Sequence, residues 1–138
     1  MKLLYYFVAG VLIILLSVSL VFAEPIGQDD SVVQGIATPI LNNLLDGIKS
    51  NDYAKYSRDF DDTTRESITE EAFTKAVAEL KTEIGNYLEK KFMGYLNKGE
   101  MTVVVWKAKF DQTKDDIFIR LVLSKRGDKY FVTGLWFE

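Results

Sequence analysis

The stretch from Tyr87 to Glu138 constrains the fold more than any other part of the 138-residue chain. It reads as four strands in a row, the last three being Met101–Phe110, Ile117–Arg126 and Lys129–Phe137. Short polar turns separate them, and Gly99 and Gly127 sit where a hairpin needs positive φ. Val, Ile, Phe, Tyr and Trp dominate the strands, as a pleated and packed surface requires. Hairpins in series make an antiparallel meander, so the upstream chain is what covers it.

Period-two alternation assigns faces to these strands. In the second, Val104, Trp106, Ala108 and Phe110 share one face, and Val103, Val105, Lys107 and Lys109 the other. In the third, Ile117, Ile119, Leu121 and Leu123 form an apolar face opposite Phe118, Arg120, Val122 and Ser124. The same alternation puts Leu88, Phe92 and Leu96 on the buried side of the first strand. In the fourth it sets Tyr130, Val132, Gly134 and Trp136 against Phe131, Thr133, Leu135 and Phe137. That strand is apolar on both sides, and so is much of the second. A sheet with one wet face alternates more cleanly, so the outer face is expected to be covered, with a second copy of the chain as the economical candidate. Arg120, the one charge within the apolar third strand, either pairs with an acid on a neighbouring strand or anchors an interface.

Three helices are expected before the sheet. Over Ser31–Ser50, Ile36, Ile40, Leu41, Leu44, Leu45 and Ile48 recur at three- and four-residue steps. Pro39 either kinks this helix or follows a Thr38 cap. Asp52 caps a short second helix carrying Tyr53, Tyr56 and Phe60 on one side. Thr69 caps the third, whose buried stripe is Phe73, Ala76, Val77, Leu80 and Ile84. Asp59, Asp61 and Asp62 lack the glycine and distal glutamate of a calcium loop and are read as capping the segment after them.

Met1–Ala23 has the form of a cleavable signal peptide: Lys2, an apolar run, then Val21-Phe22-Ala23. An uncleaved anchor is the competing reading, since about 20 apolar residues can span a bilayer. Either way the domain is expected to be extracytoplasmic, with residues 24–30 as a tether and 31–138 as one α+β domain. The membrane is met only through a retained leader. The chain has no Cys and no His, which excludes disulfides, His-based nucleophile systems and His-based zinc sites. Residues 24–89 hold 14 acidic and 6 basic side chains, and 90–138 hold 6 and 10. The basic residues are spread over turns and edges, so nucleic acid is not an expected partner. No cofactor or metal motif is present.

The segments Leu44–Tyr56 (LLDGIKSNDYAKY) and Tyr130–Phe137 (YFVTGLWF) resemble the helix–turn–helix and closing strand of the ketosteroid isomerase-like and nuclear transport factor-like cone superfamily. More narrowly, the chain is similar to small secreted or membrane-tethered prokaryotic domains of that fold with no assigned function. The resemblance implies three helices packed on a curved four-stranded antiparallel sheet. It also implies a pocket lined by Tyr53, Tyr56, Phe60, Trp106, Phe110 and Trp136. No motif places the catalytic aspartate of the superfamily's enzymes. The leading expectation is a non-catalytic module that binds a small apolar ligand in the cone or a protein partner through the sheet. An isomerase- or cyclase-type enzyme using a buried carboxylate and a Tyr is one alternative, and a structural dimerisation domain with a filled cone is the other.

Overall fold

Asp29 opens the first long helix by accepting a hydrogen bond from the Val32 amide, which satisfies one of the free N–H groups of the first turn. The computed structural model describes residues 20–138 and carries that helix, α1, over Asp30–Ser50. Pro39 lies inside it and Thr38 does not cap it, so the helix is continuous through the proline. Asn51 ends it in the left-handed region, its N–H returning to Gly47 and Ile48. Three further helices follow: α2 at Tyr53–Tyr56, α3 at Asp62–Ser67 and α4 at Glu70–Glu83, capped by Asp52, Asp61 and Thr69. The expected count of three is thus corrected to four. The extra helix is the single short turn that Asp61 nucleates.

The meander runs as predicted through β2 (Tyr87–Lys98), β3 (Met101–Phe110), β4 (Ile117–Arg126) and β5 (Lys129–Phe137). Each strand is antiparallel to the next. The sheet has five strands rather than four, because β1 (Ala23–Glu24) pairs with Lys125 and Arg126 of β4. The stretch read as a tether is tied down beyond that point. Ile26 is 4% exposed in the core, and its amide donates to the buried Thr102 hydroxyl. Residues 1–19, which hold most of the expected leader, lie outside the described residues.

The sheet curves around the helices as a half-barrel. Its inner face joins α1 in one core that includes Val33, Leu41, Leu44, Val104, Trp106, Ile119, Leu121 and Leu123. The predicted faces of β3 and β4 hold: Thr102, Val104, Trp106, Ala108 and Phe110 are all buried, as are Ile117, Ile119, Leu121 and Leu123. The predicted faces of β2 and β5 do not. A bulge between Phe92 and Gly94 puts two residues of β2 against one of β3 and reverses the alternation beyond it. A second irregularity lies at Leu88. Phe92 and Tyr95 therefore pack inward, while Leu88 and Leu96 are 60% and 57% exposed. In β5 the shift between Val132 and Gly134 does the same. Tyr130 and Val132 face the core before it, and Leu135 and Phe137 after it.

Candidate functional site

Five of the six expected pocket residues sit within the fold, each packed against another aromatic ring. Trp106 is 1% exposed and meets Phe92 edge-on with ring centroids 6.2 Å apart. Phe110 is buried against Tyr87 and Phe137. Tyr56 lies 5.2 Å from Phe60 and 4.6 Å from Phe73 between centroids. Tyr53 packs on Phe73 and donates its hydroxyl proton to the Ile68 carbonyl. Burial, with a smaller push from Tyr53, raises the Tyr56 phenol to about 12. These rings interlock as core aromatics do. The cleft beside α1, α4 and β2, about 260 Å³, includes Phe110 but none of the other five.

The sixth, Trp136, is on the other side of the sheet and 44% exposed. The bulge in β5 places it there, which corrects the expectation that it lines the interior. Its ring folds back over Gly134, where a Cβ would collide with the indole. The Arg120 guanidinium, directly across on β4, lies 4.8 Å from the Trp136 ring centroid. One nitrogen of that group bonds Glu138 at 2.9 Å, while its Nε is buried without a partner. Arg120 therefore pairs with an acid, Glu138, and lies on the outer face.

Around this pair the outer face is apolar. Met93 and Leu96 of β2, Val103 and Val105 of β3, and Phe118 and Val122 of β4 line a shallow groove of about 630 Å³ with Arg120 and Trp136. Met93 is 54% exposed and Phe118 41%. At one end Lys91 lies directly opposite Lys107, and Lys107 opposite Phe118. Lys109, next along that edge, pairs with Asp116 at 2.7 Å and holds its carboxyl below the usual carboxylate range. Phe118 is inseparable from the last residue, since its backbone exchanges both hydrogen bonds with Glu138.

A buried carboxylate with a raised pKa is what an isomerase-type site needs. Among the described residues the buried carboxylate is Asp61. Burial pushes its pKa up, but the hydrogen bonds from Thr64 and from Arg126 outweigh this and hold it below the usual range. It serves as the cap of α3 and as the partner of Arg126 at 2.9 Å. The neighbouring Asp59 is engaged by Arg58. No cluster of three metal-ligating side chains occurs among the described residues.

Sequence reasoning put Phe118, Val103 and Val105 on the outer face, and missed Leu96 and Trp136. A signal for the miss was present. Gly94 and Gly134 are isolated glycines inside strand patterns, which is the ordinary mark of a bulge or a close approach.

The family described as a protein of unknown function (DUF3887) matches residues 42–126, from the middle of α1 to the end of β4. That span is more than half the chain, and the chain belongs to this family. No curated protein and no solved structure matches it.

Proposed function

Starting from membership of that family, we propose that the protein is a non-catalytic interaction module that associates with its own kind through the outer face of its sheet. The observation that carries this reading is the apolar band of Met93, Leu96, Phe118 and Trp136 with Val103, Val105 and Val122 between them. Soluble monomers seldom leave so continuous an apolar patch in water. The edge of β2 is a poorer docking site. It carries Lys90, Lys91 and Lys98 and is broken by a bulge, two devices that discourage strand addition. Four strands of about ten residues offer a face about 19 Å across and 30 Å long, or roughly 600 Å² in projection. A standard interface takes about 800 Å² of accessible surface per partner, which a corrugated face of this size supplies. A small apolar ligand in the cone has less support, because Trp106 and Phe110 are buried against neighbouring rings.

Two further parts belong to the same proposal. The apolar run over residues 3–22 supports export, so the module acts outside the cytoplasm. The order of helices before a curved meander supports kinship with the ketosteroid isomerase-like and nuclear transport factor-like cone. The test is association. Sedimentation equilibrium over a concentration series is expected to show reversible pairing of the purified chain. Trp136→Asp is expected to abolish it with little change in melting temperature. A wild-type chain that stays monomeric at every concentration, or a Trp136→Asp variant that pairs as well, overturns the reading.

A further inference from the structure

The outer face has a property beyond being apolar, one that appears when its rows are read across the four strands. The first row runs Lys91, Lys107, Phe118, Glu138 from β2 to β5. The next runs from the β2 bulge through Val105 and Arg120 to Trp136, and a third runs Leu96, Val103, Val122, Gly134. Reversing a row left to right is what a two-fold axis parallel to the strands, lying between β3 and β4, does to a second copy. Reversed, the first row sets Lys91 against Glu138 and Lys107 against Phe118. The second sets Met93 against Trp136. The third sets Leu96 over Gly134, the one position in that row without a side chain, and Val103 against Val122.

We infer that the partner is a second copy of this chain, related by that axis, with Lys91 of each copy meeting Glu138 of the other. The inference rests on the reading that the outer face is a docking surface. Three observations carry it. The first is charge: Lys91 and Lys107 are like charges directly opposed on one sheet, an arrangement that costs stability. Asp116 of the same copy lines the groove beside Lys107, and a carboxylate facing Lys91 relieves the rest. The second is shape. The helices occupy the hollow side of the half-barrel, so the outer face bulges outward and two copies come closest along β3 and β4. Val103, Val105 and Val122 are there beside Lys107, Phe118 and Arg120, and Met93, Leu96 and Trp136 stand on the flanking strands where the sheets diverge. The third is the symmetry itself. A two-fold interface must be complementary to its own image. An axis across the strands would instead stack the Lys91–Lys107 end over the Lys98–Met101 end, which brings lysine to lysine.

The test uses charge reversal and one distance. Lys91→Glu and Glu138→Lys are each expected to weaken pairing about tenfold, since each breaks two symmetric contacts, and the double variant to restore most of it. Glu138→Lys also releases Arg120, so a second measurement is needed. The chain has no cysteine, and Glu100→Cys takes a single nitroxide at the β2–β3 turn. Pulsed electron resonance is expected to give about 20 Å between copies for the axis along the strands, against roughly 35 Å or more for the end-over-end alternative. If the wild-type chain never pairs, the docking reading fails and this arrangement with it. If it pairs but the single reversals have no effect, or the label distance is long, the docking reading stands and this arrangement alone is overturned.

Discussion

The two faces of the sheet are made of similar residues and have opposite fates. On β3, Val104 is sealed under α1 while Val103 and Val105, one step away, lie on the groove of the outer face. The two tryptophans make the contrast sharper, since Trp106 is enclosed and Trp136 lies on the surface over an arginine. Apolar character by itself therefore does not tell a core from an outer face. The difference is made by what lies on the other side, which is α1 for one face and solvent for the other.

The largest expected effect tests that contrast directly. Trp106→Ala should cost about 3–5 kcal/mol of stability, as for a large ring removed from a packed site. Trp136→Ala should cost under about 1 kcal/mol in the monomer, as surface substitutions do, while weakening association. Chemical denaturation of both variants decides it, and equal losses would erase the distinction between the faces.

A smaller effect concerns the ion pair that ties β4 to α3. Asp61→Ala should cost about 1–2 kcal/mol through loss of the helix cap. The carboxyl's pKa is lowered in the fold. Its contribution is therefore full above the unfolded value, about 3.9, and disappears as pH falls through the lower folded value. Asp61→Asn should flatten the acid limb of a stability–pH curve in that range. An unchanged limb would show that Asp61 is not the group responsible.

Gly134→Ala sharpens the account of the outer face. Its methyl group needs space the Trp136 ring occupies, so the ring must swing away. Pairing should weaken several-fold, in line with loss of one anchor contact, while the melting temperature moves little. The smallest expected effect belongs to the inner face. Tyr56 is raised to about 12, so its neutral form favours the fold. That contribution is full below pH 10 and is lost as pH rises through the folded value. An ultraviolet titration should show one phenol ionising late, and Tyr56→Phe should remove it.

The chain's local chemistry made much of this legible. Turn residues and strand composition marked the four long strands. Asp52 and Thr69 marked the starts of two helices, and alternation assigned the faces of β3 and β4, because those central strands run in unbroken register. On β2 and β5 a one-residue bulge reversed the phase, and with it the positions of Leu96 and Trp136. Whether a glycine in a strand becomes a bulge depends on which residue the partner strand offers, and no window of a single strand contains that information. The docking of Ile26 beside Thr102 is of the same kind, joining positions 76 residues apart. Side-chain pattern decided which segments are helix or strand, since that choice is made by neighbours along the chain. Only the assembled sheet decided which aromatic ring is core and which is surface, since that choice is made by neighbours across it.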